Sequence, residues 1–181
     1  MTDEAPPRAT VTIRALDATE YEAALGELAA LIVDAVDGGA GVNFLNGVRL
    51  EEAQAWWAER LGEVRDGTIT AFAALDGDRV VGSTLLMRSR NPNSPHRAEI
   101  GKVIVLRSHR RQGIAASLMR AAEDRALAEG RWLLVLDTVT GSPADTFYRS
   151  LGWTETGIVP DYALLPDGRP WPATFFWKDL R

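Results

Sequence analysis

The chain has 181 residues, of which 46% are apolar and 25% are charged, a composition typical of one ordinary soluble domain. It contains no cysteine, which excludes a disulfide framework, a thiolate metal site and a cysteine nucleophile. The net charge of −5 disfavours a general nucleic-acid or acidic-membrane partner, and the apolar runs are too short to span a membrane. Residues 1–10 have the layout of neither a signal peptide nor a transit helix, so we expect them to be flexible and the protein to be cytoplasmic.

The first third of the chain is predicted to be mostly helical after a short strand. Apolar residues alternate with polar ones over 11–15, which predicts the strand. A capping box at Thr19–Glu22, followed by apolar residues at helical spacing, predicts a helix to about Val36. The glycine-rich segment 38–46 ends this helix, and a second amphipathic helix is expected over Leu50–Val64.

In the middle of the chain the spacing of apolar residues changes from that of helices to that of strands. Residues Ile69–Leu75 and Val80–Met87 flank a turn sequence and predict a β-hairpin. A further strand is predicted over Ala98–Leu106, and it is apolar except for Glu99 and Lys102. A charged residue inside such a strand needs a partner or a function, so both positions are of interest.

A helix and strand alternate in the next part of the chain. Helical spacing begins near Gly113 and ends at Gly130, and the apolar run Trp132–Leu136 that follows predicts a fully buried parallel strand. Ser142–Asp145 combines a serine cap with proline at the first helical position, and the helix that it begins is expected to end at Leu151–Gly152.

The last two strands are predicted over Thr154–Val159 and Ala173–Trp177, separated by a long proline-rich loop, Pro160–Pro172. The order of the elements predicts a mixed α/β (α+β) fold, in which a partly parallel twisted sheet is flanked by helices. We expect the single strand-helix-strand crossover to be right-handed.

A basic, glycine-containing turn precedes the predicted helix at Gly113. Backbone N–H groups at a helix N-terminus lack partners within the helix and favour anions, and small residues at Gly113 and Ala115 allow a ligand to approach the backbone. Arg110 and Arg111 add positive charge. The segment Arg110–Ala115 is therefore a candidate phosphate site, although a solvated basic helix start is the simpler alternative.

Two segments resemble the GNAT superfamily of acetyltransferases. The pattern Arg110-x-x-Gly113-x-Ala115 after an apolar strand is similar to the acetyl-CoA motif of that superfamily, and Tyr148 ahead of Leu151-Gly152-Trp153 is similar to its later helix. Alanine at 115, where many members have glycine, and Asp137 with its neighbouring threonine, where many have asparagine, depart from the pattern. Four segments are most similar to the tabtoxin-resistance acetyltransferases, namely Gly38–Phe44, Arg97–Leu106, Leu136–Trp153 and Pro160–Leu180.

The resemblance implies a single acetyltransferase domain over residues 1–181, acetyl-CoA as co-substrate and no metal, and no histidine spacing in the sequence suggests a metal site. It implies that pantetheine lies along Lys102–Val105, where a strand N–H polarises the thioester carbonyl, and that Tyr148 is the general acid for the departing thiolate. With no cysteine to carry an acyl group, direct attack in a ternary complex is the simpler scheme. The cofactor-binding residues expected on this basis are Lys102, Val103, Ile104, Val105, Arg110, Arg111, Gln112, Gly113, Ile114, Ala115 and Ser117.

An alkylammonium must lose a proton before it can attack, and the sequence offers two carboxylates as general base. Glu99 and Asp137 both lie in or at the end of apolar strands, where burial would raise the pKa of a carboxyl group. Glu99 could instead pair with Lys102 or Arg97, and Asp137 could cap a loop. Tyr148 could likewise be a core tyrosine with a satisfied hydroxyl.

The acceptor is open at this level. A small amine, including an amino-acid-like toxin as the resemblance suggests, another amino acid and a protein N-terminus are all consistent with the sequence. A non-catalytic acyl-CoA sensor of the same fold is the alternative from a different class. Specificity is expected in segment 38–46, which could be a mobile lid or a plain connection, and in Pro160–Pro172; Trp171 could line an acceptor pocket, and a homodimer is possible.

Overall fold

The computed structural model describes residues 11–181, and residues 1–10, which the sequence predicts to be flexible, lie outside the described part. The strands are β1 Thr12–Ala15, β2 Ile69–Asp76, β3 Arg79–Arg88, β4 Arg97–Val105, β5 Leu133–Val139, β6 Thr154–Leu164 and β7 Pro170–Asp179. The α-helices are α1 Ala18–Ala23, α2 Leu25–Asp37, α3 Leu50–Ala58, α4 Leu61–Arg65, α5 Ile114–Ala128 and α6 Pro143–Ser150, and a 3-10 turn spans Arg107–His109.

The seven strands form one mixed sheet in the order β1-β2-β3-β4-β5-β7-β6. All neighbours are antiparallel except β4 and β5, which pair in parallel through Arg97–Glu99 and Leu133–Val135. This confirms the predicted mixed α/β fold. Beyond these residues the two parallel strands continue without pairing to each other, so a wedge opens between the second half of β4 and the end of β5.

A β-bulge lies in β4 beside this wedge. Leu85 pairs with Gly101 and Ser83 pairs with Ile104, so one extra residue is inserted in β4, and Lys102 adopts a left-handed backbone conformation with φ of 51°. The Ser83 hydroxyl donates to the Lys102 carbonyl at 3.0 Å, and Thr84 donates to the Gly101 carbonyl at 3.3 Å. These two buried hydroxyls hold the bulge in place by satisfying its carbonyl groups.

Helices cover the centre of the sheet. All residues from Val80 to Leu86 in β3 are buried, because helices α2 and α5 both pack against β3 and β4. Leu118 and Met119 of α5 and Leu31 and Ile32 of α2 are fully buried in this core. Within residues 11–181, no helix combines the length and the apolar character that a membrane crossing requires.

The two long helices predicted in the first third are each divided in two. The capping box is formed by Asp17 and Glu20, not by Thr19, since Asp17 accepts from the Glu20 N–H at 2.8 Å and Glu20 accepts from the Asp17 N–H at 3.0 Å. Helix α1 ends before Ala24 and α2 begins after it. The predicted helix over Leu50–Val64 breaks between α3 and α4, where the Arg60 guanidinium turns back onto the Trp56 carbonyl.

Two predictions about the strands in the last third are wrong. Strand β5 was predicted to be buried on both faces, but only one face is in the core. Leu134 and Leu136 are buried on that face, whereas Val135 on the opposite face is half-buried. The segment predicted as a long proline-rich loop is mostly strand, and its turn is closed by the Leu165 N–H donating to the Arg169 carbonyl at 2.9 Å. Proline is accommodated there because β6 is an edge strand with a register shift.

Candidate active site

The predicted phosphate turn connects β4 to α5 through two residues in the left-handed backbone region. Arg111 has φ of 64° and Gly113 has φ of 79°, and Gly113 is the N-cap of α5 with no side-chain cap. Glycine adopts this conformation without strain, which explains why it stands at the cap. The first turn of the helix contains no acidic residue.

The helix start presents its backbone donors to solvent beside basic side chains. The first hydrogen bond within the helix runs from the Ser117 N–H to the Gly113 carbonyl at 3.0 Å, so the N–H groups of residues 114–116 have no partner within the helix. Arg110 reaches back to the Val105 carbonyl at 3.1 Å, and both Arg110 and Arg111 are exposed. Unpaired donors, the helix dipole and two cations together suit a diphosphate.

The predicted pantetheine strand follows directly before this turn. Because β5 does not pair with β4 beyond Glu99, residues Lys102–Val105 have one edge without a strand partner in the wedge. The Gly101 and Lys102 carbonyls point to the hydroxyl groups of β3. A ligand lying in the wedge would therefore meet the edge of β4 that has no strand partner.

Tyr148 lies on α6 among aromatic side chains, with 7% of its surface exposed. Its ring centroid is 5.4 Å from Phe147, 6.1 Å from Trp153 and 6.2 Å from Phe176. Within residues 11–181 no protein group forms a hydrogen bond with its hydroxyl, unlike the hydroxyl of a satisfied core tyrosine. Burial raises the pKa of the Tyr148 phenol above its ordinary value, and the nearby charge of Asp137 raises it further.

Glu99 and Asp137 lie on the same face of the sheet where the wedge begins. Glu99 pairs with Val135, and Asp137 follows Val135 by two residues, so their side chains share one face. Both remain exposed, and neither forms an ion pair within the described residues, so the predicted alternative pairing of Glu99 with Lys102 or Arg97 is not observed.

The pKa values of both carboxyl groups are raised. Partial desolvation raises the pKa of Glu99, and the charge of Asp137 raises it further. Desolvation also raises the pKa of Asp137, although the Lys102 ammonium lowers it. A carboxylate with a raised pKa is a better proton acceptor, so the wedge contains two candidate bases.

The Lys102 side chain has a role that the sequence did not predict. Its ammonium donates to the Asn43 amide oxygen at 3.1 Å and lies 4.4 Å from the centroid of the Trp56 ring. The Arg60 guanidinium lies 3.2 Å from the same centroid. The sequence contains only weak signals of this contact. Lys102 is a charged residue inside an apolar strand, and Trp56 lies in a predicted helix without any pattern that indicates a function.

The two predicted specificity segments contact each other. The Asn46 N–H donates to the Pro166 carbonyl at 2.8 Å, which joins the α2–α3 loop to the β6–β7 hairpin. Trp171 donates through its indole to the Thr140 carbonyl at 3.0 Å, which ties that hairpin to the end of β5. Segment 38–46 therefore extends from the end of α2, where Gly38 lies against Arg107, to the β6–β7 hairpin.

No cluster of three or more potential metal-binding residues occurs within residues 11–181. His109 contacts Asp76 at 3.2 Å and Ser108 at 2.8 Å, and His96 stacks on Trp132 at 4.5 Å. Both histidines are therefore engaged away from the wedge.

The chain matches a family model over more than half of its length and is similar to curated proteins over part of it. The model of the acetyltransferase (GNAT) family matches residues 43–153. N-alpha-acetyltransferase 30 of Schizosaccharomyces pombe is 32% identical over 84 residues, which cover 46% of this chain and 56% of that protein. The match thus spans about half the length of the curated relative.

Solved structures are similar over nearly the whole chain. An N-acetyltransferase from Staphylococcus aureus has a TM-score of 0.77 at 19% identity and covers 95% of this chain and 99% of that one. A ribosomal-protein-alanine N-acetyltransferase from Brucella melitensis has a TM-score of 0.73 at 26% identity, covering 93% and 99%. A phosphinothricin acetyltransferase from Sinorhizobium meliloti, solved in complex with acetyl-CoA, has a TM-score of 0.73 at 21% identity, covering 94% and 88%.

Proposed function

Because the chain belongs to the acetyltransferase (GNAT) family, we propose that it transfers the acetyl group of acetyl-CoA to the amine of a small molecule. The observation that carries this proposal is the wedge between β4 and β5, which has the basic turn at one end and Tyr148, Glu99 and Asp137 around it. The described residues fit acetyl-CoA, since a diphosphate suits the turn and the edge of β4 without a strand partner is open to pantetheine. Two of the similar structures hold acetyl-CoA.

The proposed reaction is direct transfer in a ternary complex. The acceptor nitrogen attacks the thioester carbonyl carbon, a C–N bond forms, the C–S bond breaks, and its electron pair leaves on sulfur. A carboxylate of the wedge accepts the proton that the nitrogen loses, Tyr148 donates its proton to the departing sulfur, and exchange with solvent restores both groups. The raised pKa of the Tyr148 phenol means that it is in the protonated form at neutral pH before transfer. The products are an N-acetylated amine and free CoA.

Between the two candidate bases we favour Asp137. Its charge raises the pKa of the Tyr148 phenol and that of the Lys102 ammonium, so Asp137 acts on the proposed proton donor. Glu99 then contributes to the negative potential that attracts a cationic amine.

A small-molecule acceptor, including an amino-acid-like toxin, is supported by the resemblance to tabtoxin-resistance acetyltransferases and by the fold shared with a phosphinothricin acetyltransferase. A protein N-terminus is the competing acceptor, because two relatives are named as N-alpha and ribosomal-protein-alanine acetyltransferases. A non-catalytic acyl-CoA sensor is the second competitor. The hydroxyl of Tyr148, which no protein group binds within the described residues, favours an enzyme.

We also propose a cytoplasmic homodimer. Four large apolar residues of edge strand β6 expose between 42% and 51% of their surface: Ile158, Val159, Tyr162 and Leu164. An exposed apolar edge of this kind is commonly covered by a second copy in a soluble enzyme. Light scattering after size-exclusion chromatography tests the dimer.

The test of function measures free thiol release from acetyl-CoA with a panel of amino acids, other small amines and N-terminal peptides, alongside calorimetric binding of acetyl-CoA. Release that depends on a small amine supports the proposal. Release with peptides alone supports a protein acetyltransferase. Tight binding of acetyl-CoA without release would indicate the sensor, and no binding would contradict the assignment of the basic turn.

A further inference from the structure

Lys102 is a cation inside the wedge without a carboxylate partner. Within residues 11–181 no carboxylate oxygen lies within 4.0 Å of its ammonium, and the nearest polar contact is the neutral amide oxygen of Asn43 at 3.1 Å. An ammonium has three donors, so two remain unused by the described protein groups. Buried cations are ordinarily paired, and this one is half-buried without a pair.

The surroundings of Lys102 fix its position. The left-handed bulge directs the residue out of the regular strand, and the ring of Trp56 lies 4.4 Å from the ammonium. Asn43, whose own φ is 71°, holds it from the α2–α3 loop. Because Asn43 is exposed, the ammonium lies at the mouth of the wedge, where an incoming molecule can reach it.

The charges across the wedge are arranged in two signs. Glu99 and Asp137 contribute negative charge on the sheet face, and Lys102 contributes positive charge beside Asn43 of the α2–α3 loop. A zwitterion, with an ammonium and a carboxylate on neighbouring atoms, matches both signs at once, whereas a peptide N-terminus has no carboxylate beside its amine.

We propose that Lys102 binds the carboxylate of the acceptor, and that the acceptor is therefore an α-amino acid or a close analogue of one. This inference rests on the proposed function and narrows its substrate class. Burial lowers the pKa of Lys102 to about 8, and the neighbouring Arg60 adds to this effect while the charges of Asp137 and Glu99 oppose it. An acceptor carboxylate would place a counter-charge within hydrogen-bond reach of the ammonium.

The kinetic test compares α-amino acids with their α-carboxamides in wild-type protein, Lys102→Met and Lys102→Arg. Loss of one charge-assisted hydrogen bond predicts that Lys102→Met lowers kcat/KM for the acids by about 10- to 100-fold and for the amides by less than about 3-fold. Lys102→Arg should recover most of the activity toward acids. Comparing variants on each acceptor cancels the difference in amine basicity between acid and amide.

Arg65→Met, which removes an exposed cation at the end of α4, is the matched control. It should leave kcat/KM unchanged for both the acids and the amides. An equal loss for acids and amides in Lys102→Met would overturn the inference while leaving the transferase intact. Acetyl-CoA binding without turnover of any acceptor would instead overturn the proposed function itself.

A second readout needs no turnover. The sequence has two lysines, Lys102 and Lys178, and Lys178 is held by Glu123 at 2.8 Å and by the Leu151 carbonyl at 3.0 Å. Trinitrobenzenesulfonate at low concentration, followed by peptide mass spectrometry, should label Lys102 faster. An N-acetyl amino acid should protect Lys102 and its amide should not, with Lys178 as internal reference; equal protection by both, or by neither, would contradict carboxylate binding.

Discussion

The two ends of the wedge are built in different ways. The cofactor end is continuous in sequence, since the bulge of β4, the basic turn and the start of α5 lie within residues 101–117. The acceptor end joins residues that are far apart, such as Asn43 with Lys102 and Asn46 with Pro166. A site that binds phosphate through backbone N–H groups needs only one local backbone conformation. A site that distinguishes between acceptors needs side chains from several elements.

The junction between the two ends should be the most sensitive point. Tyr148→Phe removes the proposed proton donor, so kcat is expected to fall by about 10²- to 10⁴-fold while the Kd for acetyl-CoA stays within about 2-fold. Tyr21→Phe is the control, because it removes another buried hydroxyl, which donates to the Trp57 carbonyl at 2.9 Å. It should reduce stability by about 1 kcal/mol without lowering kcat. Full activity in Tyr148→Phe would exclude its role as acid.

The acidic limb of the pH profile distinguishes the two carboxylates. A base must be ionised, and the pKa of Asp137 is raised, so kcat/KM should fall as the pH drops through a value above the ordinary pKa of about 4. Asp137→Asn is expected to lower kcat/KM by about 100-fold and to abolish this limb. Glu99→Gln should keep the limb. The opposite pattern would assign the base to Glu99.

Substitutions at two matched glycines test whether the cofactor end and the acceptor end of the wedge act independently. Gly113 has φ of 79° and Gly39 has φ of 80°, and an added Cβ would meet no atom within 4 Å at either position, so the Cβ of valine introduces backbone strain without a clash. Strain of about 1 to 3 kcal/mol in the turn predicts that Gly113→Val weakens acetyl-CoA binding by about 10- to 100-fold. Gly39→Val should alter the KM of the acceptor and leave acetyl-CoA affinity unchanged. Calorimetry and initial rates measure both, and the same effect in both variants would remove the distinction between the ends.

The smallest expected effect is at the hairpin. Trp171→Phe removes the hydrogen bond to the Thr140 carbonyl, worth about 1 kcal/mol, so the KM of the acceptor should rise about 5-fold without change in acetyl-CoA affinity. Trp177→Phe, at another partly exposed tryptophan of β7, is the control and should have no effect on KM. An unchanged KM in Trp171→Phe would place the acceptor away from this hairpin.

The fold was largely predictable because most of its elements carry a clear period or cap. The hairpin of β2 and β3, the serine cap and proline of α6 and the glycine at the start of α5 were all found where they were predicted. The divided helices and the extension of β6 were missed. The extension of β6 depends on a tertiary contact, its pairing with β7, whereas the break between α3 and α4 accompanies a local contact of Arg60 with the Trp56 carbonyl.

For the candidate site, the sequence by itself determined the basic turn and the presence of a tyrosine and two carboxylates. The conformation of a turn and the chemistry of a side chain depend on residues that are adjacent in the chain. The tertiary structure alone decided that β4 and β5 separate after Glu99, that Glu99 and Asp137 share a face, and that the Lys102 ammonium turns toward Asn43 and Trp56. Strand register, a bulge and packing across the sheet set these distances. They depend on contacts between residues that are far apart in the chain, which no local pattern records.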